Sequence, residues 1–476
     1  MPFNSLVFVL FFGAVVVVHS LPLPWTIRKF NLLVASYLFY AAWDVSYVLL
    51  LLSSTVLNGG AGALMGRYDG RATLRKALLW SAIILSLAML AAFKYGNELL
   101  AVVQTVSERF GMPYSPPKMT ILLPVGLSFF TFQAMSYTID VYRRTIKPAT
   151  SPLDLALFIS FFPVLPAGPI VRAGQFLPQC ASPRRATGNE FAWGLCLFTL
   201  GLFMKVTLAD HVFAPIVAKV YDQPVYPDPL SAWIATSAFA SQDYCDFAGY
   251  STCAMGVALC LGFIIPQNFR APFASIGFRD LWQRWHITFV AWLRDYVFVP
   301  LGGASRGTAR TVLNVILVFL LVGLWHRATW TMAAFGVIHG FYVSSEIILQ
   351  RTRLRRLQFW RTAPGILVLW LLTAGLALVA FTFYRCTDFQ HAFRVICAMA
   401  NRGPAMGRYR LSNLEILVGL FTVQIIVALH WLVRDKQLSQ VVDCVPWWVT
   451  SAALAAMILA ITLSASRSDA FLYFQF

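Results

Sequence analysis

The sequence predicts an all-α polytopic membrane protein, on three observations. Only 12% of its residues are charged, about half the quarter usual in soluble domains. Mean hydropathy is +0.68. Mostly apolar runs recur along the whole chain, at the roughly twenty-residue length that a hydrocarbon core of about 30 Å requires. In lipid the backbone must satisfy its own hydrogen bonds, so only helices or a closed barrel can span. Runs such as 6–18 and 366–381 lack the alternation of barrel strands, which leaves helices.

Candidate spans lie at 5–21, 31–57, 78–101, 119–140, 152–170, 188–208, 211–220, 230–264, 282–300, 311–325, 328–349, 365–384, 413–433 and 446–465. The first has no basic leader and no clear small-residue cleavage site, and reads as a retained membrane helix. The 230–264 run is long enough for two pieces. Segments 205–211 and 282–300 carry internal charges and read as broken, short or re-entrant, which membrane depth tolerates only inside protein or beside a cavity. About eleven to thirteen crossings follow. With neither internal repeat nor low-complexity linker, one membrane domain over 1–476 is expected.

Net charge is +17. No phosphate loop, zinc-finger spacing or RNA-binding motif accompanies it, so no nucleic-acid partner is expected; basic loops that anchor helices on the cytoplasmic side explain it. Loop 66–76 holds four basic residues against one acid, and loop 351–361 holds five arginines. Both are assigned to the cytoplasm, which puts 385–412 outside. That segment also carries five arginines. Either a long loop escapes the rule, or the outer face is electropositive and suits an anionic polymer. Eight scattered cysteines without a C-x-x-C pair read as packing residues.

Ionisable groups inside spans are costly, and mark functional candidates. Among seven histidines, His19, His391 and His430 lie near span ends, where an interfacial place suffices. His211 follows Lys205 and Asp210 in GLFMKVTLADH, a structural polar cluster. Three histidines remain.

His286 sits in FRDLWQRWHITFVAWLRDYVFVPLGG, residues 278–303. Trp282, Trp285, Phe289 and Trp292 follow helical spacing as one aromatic stripe, with Arg294 and Asp295 beyond it. One reading is an interfacial amphipathic helix. The other is a basic and aromatic cradle for a phosphate-bearing carrier such as coenzyme A. His326 ends the apolar run VLNVILVFLLVGLWH, with Trp325 before it and Arg327 after it. It reads as a satisfied core histidine or as a proton acceptor, because a desolvated imidazole prefers neutrality. His339 is flanked by Gly336 and Gly340, which let a neighbouring helix approach, and it reads as packing or support. No G-x-S-x-G elbow, H-E-x-x-H or dense carboxylate set is present, and no metal is expected.

LWQRWHITFVAWLRDYVFVPLGG followed by GLWHRATWTMAAFGVIHG resembles the membrane-bound O-acyltransferase family, in its bacterial polysaccharide branch. SYLFYAAWD at 36–44, LPVGLSFFTFQAMSYTIDVYRR at 123–144, FFPVLPAGPIVRAGQFLPQ at 161–179, GLFMKVTLAD at 201–210, DYCDFAGYSTCAMGVALCLGF at 243–263 and the closing FLYFQF extend the resemblance along the chain. It implies a ring of tilted or broken helices around a funnel, with a motif-bearing core at about 243–346. His326 in GLWH matches the family's catalytic position and His286 in RWHIT its companion, forty residues earlier. Trp285, Arg294, Asp295, Trp325, Arg327 and His339 are supporting or donor-binding candidates.

The resemblance further implies an acetyl-CoA or acyl-carrier thioester donor with no bound cofactor, and an exported polysaccharide acceptor. It implies a periplasmic SGNH-type partner and a place in the bacterial inner membrane. D-alanyl transfer to teichoic acid is an alternative on the same fold. A transporter or lipid-carrier flippase is an alternative of another class. One departure stands out: the family reads W-H-G-A where this chain has Trp325-His326-Arg327-Ala328. Pointing into the funnel, that arginine lowers the proton affinity of His326 and offers an anion site; pointing to a headgroup, it does little.

Overall fold

The computed structural model describes residues 1–112, 114, 123–352, 357–404 and 407–464. Among them regular structure is helical, apart from one isolated bridge between Pro227 and Tyr409. Eight helical stretches are long and apolar enough to cross a membrane: Val45–Arg67, Ala72–Lys94, Gly188–Tyr221, Thr308–His326, Trp330–Leu349, Ala363–Arg385, Asn413–Leu432 and Trp447–Ser464. The protein is an all-α polytopic membrane protein. The closing 471–476 motif and Arg353, Arg355 and Arg356 lie outside the described residues.

Several expected spans take another form. The 152–170 run is helical only over Pro152–Ser160, because Pro163, Pro166 and Pro169 remove donors and forbid continuation. The irregular backbone that follows is buried in protein, as membrane depth demands. Its Phe162 amide donates to Ser36 Oγ at 3.1 Å. The 230–264 run is one helix, Pro229–Cys260, rather than two pieces. The runs 188–208 and 211–220 merge into one continuous helical stretch, whose middle, Phe203–Phe213, is wound as a π-helix.

The chain divides into two compact units, Met1–Phe198 with Cys253–Pro266, and Thr199–Thr252 with Gln267–Phe476. In the first, cations are buried as fasteners. Arg28 donates to the carbonyls of His19 and Arg184, and Lys29 pairs with Asp154. Arg75, counted above as a loop cation, is buried and binds the carbonyls of Met65, Val141 and Tyr142. His19, expected at an interface, is 5% exposed and donates from Nε2 to the Leu261 carbonyl.

In the second unit, Thr308–His326 and Trp330–Leu349 form a tight hairpin. A Cβ on Gly323 would lie 2.1 Å from the Met332 carbonyl oxygen, and one on Gly336 would lie 2.2 Å from that of Phe319. The close approach read from Gly336 and Gly340 is therefore real. The polar cluster around Lys205 is also present: its ammonium lies 2.8 Å from Asp210 Oδ1 and 2.5 Å from Asp246 Oδ1. His430, a further interfacial expectation, is buried instead. Its Nδ1 accepts from the Phe273 amide and its Nε2 meets the Tyr244 hydroxyl at 3.0 Å.

Candidate active site

Segment 278–303 breaks where its polar text is densest. A helix runs over Phe278–Arg284, Trp285 is extended, and His286 turns left-handed at φ 45° and ψ 50°. A second helix, Ile287–Leu293, winds into a π turn at Arg294–Phe298. A left-handed histidine costs about 1–3 kcal/mol and persists only where its surroundings over-determine it. Here they do. The Ile287 amide donates to the Asn268 carbonyl at 2.8 Å, and the Arg270 amide donates to the Arg284 carbonyl at 2.9 Å. Arg284 is clamped by Asp280, the Arg434 carbonyl and Asp435.

The single aromatic stripe expected of this segment is consequently split by the break. Trp282, Phe289 and Trp292 are buried in protein, so the interfacial-helix reading is corrected.

Asn268 organises the first imidazole. Its Nδ2 donates to Ser251 Oγ at 3.2 Å, which leaves Oδ1 as the acceptor. That oxygen receives the Thr288 amide at 3.3 Å, the Thr288 hydroxyl at 2.9 Å and His286 Nδ1 at 3.1 Å. The proton of His286 is thereby placed on Nδ1 and the lone pair on Nε2.

His326 closes the Thr308–His326 helix. Its Nδ1 lies 3.3 Å from the Tyr384 hydroxyl, which comes from the last turn of Ala363–Arg385. The Trp325 ring stands between the two histidines, 6.1 Å from His286 and 4.7 Å from His326, and packs on Phe289 at 4.3 Å.

His339 is held differently. The Trp282 indole donates to its Nδ1 at 3.3 Å, and Phe335 and Phe319 flank its ring.

His286, His326 and His339 line one cavity of about 130 Å³, together with Asp243, Trp282, Trp285 and Tyr384. The volume is below the range of about 300–1,000 Å³ for sites that enclose a drug-sized ligand. A second cavity of about 600 Å³ has an apolar wall and a polar margin that includes Arg279, Gln283, Arg294 and Arg351. Trp282 lines both.

The sequence candidates thus separate. Trp285 and His339 belong to the histidine cavity. Arg294 belongs to the second, paired with Asp295 at 2.8 Å. Arg327 lines neither; it is extended just past the helix end and interacts electrostatically with Tyr384 and Arg385. Asn268, Tyr384 and Asp243 escaped the sequence reading. Only Asp243, an acid within an apolar stretch, carried a signal that could have found it.

These helices place the chain among polytopic membrane proteins, with three histidines on one cavity whose wall is otherwise mostly apolar. The comparisons supply the chemistry. The model of MBOAT, the membrane-bound O-acyltransferase family, matches residues 143–387. The probable alginate O-acetylase AlgI of Pseudomonas aeruginosa is 35% identical over 403 residues, covering 82% of this chain and 74% of that protein. The peptidoglycan O-acetyltransferase of Helicobacter pylori is 32% identical over 399 residues, covering 78% and 73%. The teichoic acid D-alanyltransferase of Bacillus subtilis is 26% identical over 238 residues, covering 48% and 59%. The chain belongs to the membrane-bound O-acyltransferase family, and it is an acyltransferase.

Proposed function

We propose that the protein transfers acetyl groups from a cytoplasmic thioester toward hydroxyls of an exported polysaccharide, from the bacterial inner membrane. The observation that carries this reading is the placing of His286 and His326 on one small cavity beside a larger basic-rimmed one. The alginate O-acetylase and the peptidoglycan O-acetyltransferase match at higher identity and over more of the chain than the teichoic acid D-alanyltransferase, which favours acetyl over D-alanyl.

The two cavities divide the labour. Arg351 begins the loop that the arginine excess assigns to the cytoplasm, and it bonds Thr308 at the start of the Thr308–His326 helix. The phosphates of coenzyme A or of a carrier's prosthetic arm suit the Arg279, Arg294 and Arg351 margin. A helix of 19 residues rises about 27 Å, so His326 stands near the opposite face, where the acceptor is. The donor would thread past Trp282 to present its thioester in the histidine cavity.

There His326 acts as general base. It takes the proton of the attacking hydroxyl as the new C–O bond forms, and returns it to sulfur as the C–S bond breaks. His286, its proton fixed on Nδ1, presents Nε2 as an acceptor and orients a substrate through an O–H or N–H other than the attacking hydroxyl. The hydroxyl belongs either to the polymer or to a relay group handed to an extracytoplasmic SGNH-type partner.

The test is His326→Ala in protein that still inserts and folds. Acetyl content of the exported polymer should fall to background, and unchanged acetylation would overturn the reading. Mass spectrometry of the same polymer separates acetyl from D-alanyl.

A further inference from the structure

The first two helices, Leu6–Ser20 and Trp25–Ala41, leave a groove between them. It encloses about 280 Å³, walled by Phe11, Val15 and Val18 on one side and by Val34, Ala35 and Leu38 on the other. Val18, Val34 and Leu38 are exposed, and an exposed apolar side chain on a membrane helix meets lipid tails. The wall from Phe11 to His19 rises about 12 Å. That is close to half of a hydrocarbon core of about 30 Å, so the groove has the depth of one leaflet.

Its end is polar and positive, closed by His19 and Arg28. The His19 ring donates from Nε2 to the Leu261 carbonyl at 3.1 Å, so Nδ1 of the neutral ring carries the lone pair. That buried atom has no donor among the described residues. Arg28 donates to the carbonyls of His19 and Arg184, each at 2.8 Å. Arg184 donates to the Gly262 carbonyl at 3.2 Å, and Arg185 to that of Leu21 at 3.1 Å. Three arginines thus gather at one turn on carbonyl partners, which cancel none of their charge. Segments 19–31 and 180–189 contain no acid. Asp154 is spent on Lys29, and Glu190 on the Thr187 amide and hydroxyl. The Trp25 ring lies 5.3 Å from the Arg28 guanidinium, and its indole donates to the Cys180 carbonyl at 2.7 Å, the interfacial anchor that marks headgroup level.

We propose that this groove is a binding site for one anionic phospholipid with a hydroxylated headgroup, of which phosphatidylglycerol is the simplest. An acyl chain lies along the apolar wall, the phosphate meets the arginine turn, and a headgroup hydroxyl donates to His19 Nδ1. Each part of the lipid answers a separate feature. The net negative charge answers three cations without carboxylates. The hydroxyl answers a buried lone pair that is costly to leave unpaired. Phosphatidylcholine carries a phosphate but no donor. Phosphatidylethanolamine has a donor, but its ammonium would sit among like charges. The bound lipid seals the first helix against the second, and this role is independent of the acyl-transfer reading.

The test uses the full-length protein, delipidated in detergent, with native mass spectrometry and thermal unfolding as readouts. Phosphatidylglycerol should be retained as a single molecule per chain and should raise the unfolding temperature. Phosphatidylcholine and phosphatidylethanolamine should bind about tenfold more weakly. Phosphatidylmethanol, anionic but without the hydroxyl, should lose about fivefold, the worth of one hydrogen bond. Arg185→Gln keeps a donor for the Leu21 carbonyl and drops the charge, and should also lose about fivefold. Ala14→Phe fills the groove from an exposed position, and should abolish retention while leaving the fold intact. Equal binding of all four lipids would overturn the proposal, by reducing the groove to contact with bulk lipid. So would glycerol phosphate binding as tightly as the lipid, which would make this a soluble-anion site, or undiminished retention in a folded Ala14→Phe.

Discussion

Gly336→Ala tests whether the helical hairpin is what aims His326. A Cβ at this position would lie 2.2 Å from the Phe319 carbonyl oxygen, whereas ordinary contact begins at 3.4 Å. The obstacle is backbone, so no side chain can swing clear. The two helices must separate by 3.4 − 2.2 = 1.2 Å at this level. His326 ends one helix of the pair and His339 lies one turn beyond Gly336 on the other. Overpacking of this kind costs about 1–3 kcal/mol, within what most folds survive. A displacement near 1 Å at a reacting group, however, costs about 100-fold in rate.

The expected outcome is a protein that inserts, unfolds at modestly lower temperature and acetylates polymer about 100-fold more slowly. The assay is polymer acetyl content in cells, paired with thermal unfolding in detergent. Gly375→Ala is the control, because a Cβ there meets nothing within 4 Å. It should keep activity and gain up to about 1 kcal/mol of helix stability. Wild-type turnover in Gly336→Ala would refute the view that this contact positions the histidines.

Other outcomes follow from single side chains. Asn268→Leu removes the acceptor shared by His286 and Thr288 and orphans their buried donors, at about 1–3 kcal/mol each; thermal unfolding should register the loss, and polymer acetylation should fall with it. Lys205→Met leaves Asp210 and Asp246 without the cation that bridges them, and should cost about 3–5 kcal/mol, read as loss of folded protein in membranes. Arg327→Ala should change turnover by no more than about fivefold, since a cation outside the cavity is worth about 1 kcal/mol or less; titrating donor concentration would expose any larger role.

The sequence carried the fold class and the two histidine motifs because both are local signals. Hydropathy needs only a window, and RWHIT and GLWH are short strings. The break at Trp285–His286 was half visible, as charges where a span should have none. Its cause was not, since Asn268 lies 18 residues away from His286 and reads as an ordinary loop residue. Tyr384 is 58 residues from His326 and looks like the end of a greasy helix. Side chains that serve through hydrogen bonds across helices leave no periodicity. The interfacial readings of His19 and His430 failed for the same reason: a span end in sequence is not the surface when other helices cover it. Arg327 drew notice as a departure from a pattern; it does not line the histidine cavity, but it interacts electrostatically with Tyr384, which does.

The trio of Lys205, Asp210 and Asp246 also bears on how the chain enters the membrane. During synthesis, Lys205 and Asp210 emerge forty-one and thirty-six residues ahead of Asp246, the second carboxylate that Lys205 binds. A π-wound segment bearing both charges is a poor substrate for release into lipid on its own. It should linger at the insertion machinery until Pro229–Cys260 arrives, so that these two helices leave as a pair.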